Sequence, residues 1–201
     1  MTSASIKHTH GLTILSNKHK AIRKIRDNAN IPEIHGDKVW YSSYLIMDYL
    51  LDNPIPLKSK VMEIGCGWGI LSIFCAKEFD SKVIGVDADS NVIPFLKLHA
   101  SKNSAKVKTK VCRYENLKPE ILAKQDLIVG GDICFWDELI DPLFSLIKRA
   151  IKQKVGTVII ADPGRAPFLE LAKRCQNKYN AKLIHAKTKK KDGYLLIITH
   201  Q

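Results

Sequence analysis

Short apolar runs that alternate with helical periodicity constrain the fold of this chain more than any other feature. Four of the runs are followed by a segment with apolar residues at helical spacing, the pattern of strands joined by helices. Strands connected in this way form a parallel sheet that helices cover on both faces. The runs predict strands at 59–64, 81–87, 106–112, 125–132, 156–162, 181–188 and 193–199.

The last two predicted strands follow one another directly, joined by a lysine-rich turn that contains Asp192-Gly193. A tight turn of this kind makes a hairpin, so one strand must run against the others. We therefore predict an α/β fold: a Rossmann-like, seven-stranded, mostly parallel sheet with helices on both faces and a reversed last strand. Its binding crevice should lie at the carboxyl ends of the first, second and fourth strands, where strand order reverses.

The N-terminal region differs from the rest of the chain. Residues 1–35 lack clean periodicity, and we predict an N-terminal arm with a short basic helix near 17–27. Residues 36–201 carry the alternating pattern and are predicted to form the main domain. Its first helix is predicted from Trp40, Tyr44, Met47 and Leu51, which recur at helical spacing and end at Asn53-Pro54.

Composition excludes several classes of protein. With 45% apolar and 26% charged residues the chain is not disordered, and no apolar run approaches the roughly 18–20 residues of a membrane span. The N-terminus lacks a secretory signal, and the five cysteines are scattered and odd in number, so we predict reduced thiols and a cytoplasmic protein. His35, His99 and His185 stand alone, which predicts ordinary histidines and no metal site.

The net charge of +12 is concentrated in three stretches, at 18–26, 97–118 and 173–191. One interpretation is an anionic partner, either an acidic protein surface or nucleic acid. The other is solvated helix faces and a lysine-rich turn that protects a sheet edge. No aromatic residues interleave with the lysines, which disfavours binding of single-stranded nucleic acid.

The loop after the first predicted strand, "VMEIGCGWGI" at 61–70, identifies the ligand class. Its glycines do not follow the G-x-G-x-x-G spacing of dinucleotide-binding proteins, because Ile70 takes the place of the third glycine. Glu63 would also repel a pyrophosphate. A ligand without phosphate and with a cationic centre fits better, and S-adenosylmethionine is such a ligand.

Asp87 ends the second predicted strand in "VIGVDAD". An acid here can accept hydrogen bonds from both ribose hydroxyls, a role common to proteins that bind NAD and those that bind S-adenosylmethionine. Asp89 is predicted to cap the helix that follows. The glycine loop and Asp87 together predict an S-adenosylmethionine site.

These residues resemble motif I and the following acid of the class I, seven-β-strand methyltransferases, over roughly residues 31–200. More narrowly, the chain resembles the protein-lysine methyltransferases that modify the β subunit of electron transfer flavoprotein and their bacterial relatives. Four stretches carry that likeness: "IPEI" at 31–34, "DYLLDNP" at 48–54, "GGDICFWDEL" at 130–139 and "ADPGRAPFLE" at 161–170.

The resemblance implies that 36–201 form a methyltransferase domain with S-adenosyl-L-methionine as cofactor. Two departures bear on the site: Phe135 stands where the family usually has Tyr, and Arg113-Tyr114 replace the acid that often contacts adenine. We expect adenine to be held by backbone and stacking. The predicted cofactor-binding residues are Trp40, Glu63, Gly65, Cys66, Gly67, Gly69, Asp87, Ala88, Tyr114 and Asp132.

The segment after the fourth strand is predicted to form the acceptor pocket. Asp132 would orient or deprotonate an amine, while Phe135 and Trp136 wall it; the competing interpretation makes Asp132 a cap of the next helix. Asp162 is assigned to a turn, and Arg165 either meets an acidic substrate or pairs with a nearby carboxylate. The place where enzymes acting on planar amines often carry [ND]-P-P-[YF] reads "GDICF", which favours an aliphatic amine.

We therefore predict a methyltransferase that modifies a protein lysine, with a protein substrate that has an acidic surface. Two alternatives stay open. The first is a methyltransferase for RNA or a small molecule, and the second is a cofactor-binding module without turnover.

Overall fold

The computed structural model describes residues 5–27, 31–187 and 192–200. The strands are β1 (Ile6–Thr9), β2 (Leu12–Leu15), β3 (Lys60–Ile64), β4 (Lys82–Asp87), β5 (Val107–Val111), β6 (Leu127–Gly131), β7 (Thr157–Asp162), β8 (Ala181–Lys187) and β9 (Asp192–Thr199). The α-helices are α1 (Lys20–Asp27), α2 (Ser42–Asp52), α3 (Ile70–Glu78), α4 (Ile93–Lys102), α5 (Pro119–Leu122), α6 (Ile140–Lys152) and α7 (Ala166–Lys178).

Seven strands form the main sheet in the order β5-β4-β3-β6-β7-β9-β8. Strands β3 to β7 pair in parallel, whereas β9 is antiparallel to both of its neighbours, β7 and β8. The predicted Rossmann-like sheet with one reversed strand is therefore confirmed. The lysine-rich turn at 188–191 lies outside the described residues.

Two apolar cores lie on opposite faces of the sheet. Along β3, Val61 belongs to the core that contains residues of α2, α3 and α4, while Met62 belongs to the core of α6 and α7. Side chains alternate between faces because successive residues of a strand point in opposite directions. Strands covered on both faces are near-continuous apolar runs, which explains why short apolar runs in the sequence located them.

A hairpin of β1 and β2 precedes the main sheet and was not predicted. Its apolar side chains Leu12 and Leu15 are buried, and Asn103 at the end of α4 pairs with the backbone N–H and C=O of Thr13 at 2.8 and 2.9 Å. Helix α1 lies inside the range predicted for the basic helix. The division at residue 35 stays a prediction.

Helix α2 begins at Ser42, later than the sequence periodicity indicated, so Trp40 precedes the helix. All five cysteines are free, and four of them are buried. Within the described ranges, every helix is too short or too polar to cross a membrane.

Candidate functional site

A cleft opens at the carboxyl ends of β3, β4 and β6, where the strand order reverses, and encloses about 810 Å³ when the space open to solvent is included. A second lobe of about 300 Å³ adjoins it beside the glycine loop. Both lobes are lined by Trp40, Gly65, Gly67 and Gly131, so a ligand that passes these residues would occupy the two together. The cleft therefore has room for an elongated ligand of nucleoside size.

All three glycines of the loop between β3 and α3 have positive φ, and two of them, Gly67 and Gly69, differ clearly in their surroundings. A Cβ on Gly69 (φ 69°) would lie 2.4 Å from Cγ of the buried Leu96, whereas a Cβ on Gly67 (φ 48°) would meet no atom within 4 Å. Gly69 thus serves close packing of α4 on the loop. Gly67 leaves its space to the cleft, where a ligand can approach the backbone.

Asp87, at the end of β4, holds the glycine loop in place. Its Oδ2 accepts a hydrogen bond from the Gly67 N–H at 2.8 Å, and its Oδ1 accepts one from the Asp89 N–H at 3.0 Å. Each carboxylate oxygen can accept a further hydrogen bond, so the side chain can still meet two hydroxyls in the larger lobe that it lines. Burial raises the pKa of this carboxyl.

Glu63 is the acid of the smaller lobe and is 3% exposed. Its Oε2 accepts hydrogen bonds from the Ser72 N–H at 2.8 Å and from the Ser72 hydroxyl at 2.5 Å. Burial raises its pKa to about 8, which is the direction expected for a carboxylate moved out of water. A cation bound beside Glu63 would favour its ionised form.

Asp132 lines the larger lobe directly after β6, with a left-handed φ of 58°. Its Oδ2 accepts a hydrogen bond from the Ser42 N–H at 3.0 Å, and its Oδ1 lies 2.9 Å from Nη1 of Arg165. The carboxylate therefore caps α2, not the helix that follows it in the sequence. Its catalytic role stays a prediction.

Arg165 joins Asp132 to a second buried acid. The same Nη1 lies 2.7 Å from Oδ2 of Asp162, whose Oδ1 accepts hydrogen bonds from the Gly164 and Arg165 N–H groups at 2.8 Å each. Asp162 thus has the turn role predicted for it. Of the two interpretations of Arg165, the structure shows the pairing with neighbouring carboxylates.

Aromatic rings surround the mouth of the larger lobe. Phe135 and Trp136 are 4.7 Å apart between ring centroids, and Trp136 is 55% exposed. The ring of His35 lies 4.9 Å from Phe135, 5.4 Å from Trp136 and 6.1 Å from Trp40. Sequence reasoning treated His35 as ordinary, because no nearby residue in the sequence indicated that it would meet rings a hundred positions away.

The segment 31–37, which we call the strap, carries His35 over the cleft. Asp89 anchors it: Oδ2 accepts a hydrogen bond from the Glu33 N–H at 2.6 Å, and Oδ1 caps the next turn through the Asn91 N–H at 2.8 Å. The indole of Trp68, in the glycine loop, donates to the Gly36 carbonyl at 2.9 Å. The strap is thus held by Asp89 after β4 and by Trp68 in the glycine loop. Asp89, which was predicted as a helix cap, therefore has a second function as an anchor of the strap.

The remaining predicted residues also border the cleft. Ala88 and Tyr114 line the larger lobe, and Cys66 lines the smaller one. The Tyr114 hydroxyl is buried without a hydrogen-bond partner among the described residues. Burial raises the pKa of the Cys66 thiol, which therefore stays neutral. Every predicted site residue but Trp136 lines one of the two lobes, and Trp136 stands at the rim; the roles assigned to them stay predictions.

Comparison with known proteins shows that the chain is similar to methyltransferases. Residues 61–156 match the family described as a methyltransferase domain. The electron transfer flavoprotein beta subunit lysine methyltransferase of Xenopus laevis is 32% identical over 130 residues, covering 64% of this chain and 52% of that protein. The ubiquinone biosynthesis O-methyltransferase of Pelagibacter ubique is 36% identical over 109 residues, covering 53% and 43%.

The fold has a close counterpart among solved structures. The crystal structure of a methyltransferase from Pyrococcus furiosus superposes with a TM-score of 0.61 at 17% identity and covers 92% of this chain and 98% of that one. The chain spans about half the length of the curated relatives it matches.

Proposed function

We propose that this chain, whose residues 61–156 match a methyltransferase domain, is a class I S-adenosylmethionine-dependent methyltransferase that transfers a methyl group from this cofactor to the side-chain amine of a lysine in a protein. The identity of the acceptor, a lysine amine, goes beyond what the match to the family supports. It is supported by the aromatic rings beside Asp132 and by the likeness to lysine methyltransferases.

The residues of the cleft fit S-adenosylmethionine. Asp87 offers free acceptor positions for ribose hydroxyls, and Tyr114 lines the same lobe. The open space at Gly67 lets a ligand run from that lobe into the one that holds Glu63. Glu63 suits the ammonium group of the methionine part.

Methyl transfer requires alignment more than bond activation. When bound, S-adenosylmethionine supplies a methyl group on a positively charged sulfur, which is already a good leaving group. The chain must therefore hold the acceptor amine in line, keep it unprotonated and exclude water. In-line alignment follows from two fixed walls, the glycine loop on one side and the segment after β6 on the other.

Asp132 and the aromatic rings would hold the amine. The Asp132 carboxylate is fixed by Ser42 and Arg165, and the unused lone pair of each oxygen can accept a hydrogen from an amine. The ring faces of Phe135 and Trp136 would stabilise the cation as it develops on nitrogen, and the ring of His35 packs against both of them. Phe135 supplies no hydroxyl, so the carboxylate is the acceptor that orients the amine.

The rings at the mouth are the observation that carries this proposal, and labelling tests it. Extract of cells that lack the gene is incubated with the protein and S-adenosylmethionine labelled in the methyl group. We expect label that protease releases and that mass spectrometry locates on methylated lysine. Label released by nuclease, or recovered in a small-molecule extract, would contradict the lysine acceptor.

A pair of variants separates the acceptor site from general stability. Trp136→Ala should reduce protein labelling by about tenfold or more, because it removes part of the wall. Leu57→Ala is the matched control, since Leu57 is also apolar and exposed (71%) but precedes β3, at the end of the sheet opposite the cleft and its rim. Equal labelling by both variants would count against the assigned wall.

A small-molecule acceptor is the second candidate. The likeness to the ubiquinone biosynthesis O-methyltransferase favours it, and a cleft of this size could admit a small acceptor beside the cofactor. The third possibility, a module that binds the cofactor without turnover, predicts cofactor binding in calorimetry with no label in any fraction.

We also propose that the substrate has an acidic surface and that the protein works in the cytoplasm. Lys102, Lys106 and Lys108 are exposed at the end of α4 and the start of β5, and the carboxyl end of the same edge strand leads to Arg113 at the cleft. Such a basic surface would attract an acidic protein, and its effect should weaken with salt. The five free cysteines support a reducing compartment.

A further inference from the structure

The smaller lobe of the cleft has a charge pattern that the proposed function does not yet use. Among the described residues that line it, only Lys38 and Glu63 are charged. The methionine end of S-adenosylmethionine is a zwitterion, with one ammonium and one carboxylate. Glu63 suits the ammonium, so the carboxylate requires a cationic or hydrogen-bond-donating partner in the same lobe.

Lys38 is placed to be that partner. Its Nζ lies 4.2 Å from the centroid of the Trp40 ring, and Trp40 borders both lobes. The indole N–H of Trp40 donates to the His35 carbonyl at 2.6 Å, so the ring that supports the ammonium is itself held by the strap. Within the described part of the chain, Lys38 forms no ion pair with a carboxylate.

The start of α3 adds to the positive field of this lobe. Gly69 and Ile70 line it, and the first N–H groups of a helix together with its macrodipole favour an anion. Glu63 already accepts a hydrogen bond from the Ser72 N–H in this first turn, so the N–H groups ahead of Ser72 and the Lys38 ammonium are left for the carboxylate of the ligand. Glu63 can then meet the ammonium.

We propose that Lys38 binds the α-carboxylate of the cofactor. This inference rests on the cofactor of the proposed function and not on its acceptor. Lys38 follows the strap in the chain and lines the smaller lobe together with residues of the glycine loop. Because Lys38 is exposed before a ligand binds, the pair is partly screened and its effect is moderate.

Calorimetry with two ligands tests the proposal without any measurement of activity. S-adenosylhomocysteine has the carboxylate, whereas decarboxylated S-adenosylmethionine lacks it and keeps the ammonium. Lys38→Gln should weaken S-adenosylhomocysteine by roughly three- to tenfold and leave the decarboxylated ligand within about twofold. Lys38→Arg, which keeps the charge, should retain most of the affinity.

Lys7→Gln is the matched control. Lys7 also lies over an aromatic ring, with its Nζ 4.0 Å from the centroid of Tyr44, but it does not line the cleft. Neither ligand should lose affinity in this variant. An effect in Lys7→Gln equal to that in Lys38→Gln would overturn the proposal, because a general change of surface charge would then explain both.

Two further outcomes would overturn the role of Lys38. One is unchanged binding of S-adenosylhomocysteine by Lys38→Gln. The other is an equal loss for both ligands, which would mean that Lys38 acts by supporting Trp40 and not by contacting a carboxylate. A wild-type protein that binds neither ligand would instead refute the cofactor itself, so the two failures are distinguishable.

Discussion

The glycines of the loop after β3 show how one short motif combines packing and binding. Gly69 is needed because Leu96 occupies the space where a side chain would begin, whereas the space beside Gly67 belongs to the cleft. Both residues have positive φ, so a substitution at either position also strains the backbone. The two roles can be separated by experiment.

Gly69→Ala and Gly67→Ala should fail in different ways. Alanine at 69 combines left-handed strain with overpacking, a loss of roughly 2–5 kcal/mol in the free energy of unfolding. Alanine at 67 should cost only about 1–2 kcal/mol of stability while blocking the ligand. Urea denaturation measures the first effect and calorimetry with S-adenosylhomocysteine the second; equal stabilities of the two variants would contradict this separation.

Asp87 is the residue on which cofactor binding should depend most. Asp87→Ala removes the acceptor for ribose hydroxyls and for the Gly67 N–H, and we expect cofactor binding to weaken by roughly 1–3 kcal/mol. Calorimetry with S-adenosylhomocysteine measures the change, with the exposed Asp52→Ala as control. Unchanged affinity in Asp87→Ala would be strong ground against the assigned ligand.

At the scale of elements, the strap and helix α2 are positioned by carboxylates from distant strands. Asp89 binds the backbone of the strap, and Asp132 caps α2 through the Ser42 N–H. Helix α2 therefore starts where its cap is, which explains why periodicity alone placed the start too early. The aromatic wall exists because these two anchors bring His35 and Phe135 together.

Asp89→Ala should release the strap. It removes the cap of the turn that follows β4 and the acceptor for the Glu33 N–H, at a cost of roughly 1–3 kcal/mol in unfolding free energy. Amide hydrogen exchange should become faster at Glu33 and Asn91 and remain unchanged along β6. Retained protection at Glu33 would show that other contacts hold the strap.

At the scale of the whole molecule, folding buries an ionisable acid, Glu63, in the interior of the sheet. Its pKa is about 8 in the folded protein, against 4.5 in an unfolded chain. Between these values the unfolded chain binds fewer protons at Glu63 than the folded protein does. The contribution of Glu63 to stability therefore falls as pH rises from about 4.5 to about 8 and then levels off.

Glu63→Gln should remove this contribution, because the amide has no charge to desolvate. The difference in unfolding free energy between wild type and variant should change by at most about 1.4 kcal/mol per pH unit within that range. Denaturation by urea at several pH values measures it, with the exposed Glu78→Gln as control. Parallel stability curves for wild type and Glu63→Gln would refute the raised pKa.

The sequence determined the sheet, because strands that are buried on both faces are apolar runs of residues adjacent in the chain, and the helices between them have their own local periodicity. It also located the glycine loop and Asp87, since chemistry at a strand end depends on residues adjacent in the chain. The N-terminal hairpin is also local, with His10 and Gly11 at its turn, but it was not predicted. Only the tertiary structure revealed the ring of His35 against Phe135 and the pairing of Arg165 with Asp132. Those two contacts join residues that are close only after folding, so no local pattern in the chain records them.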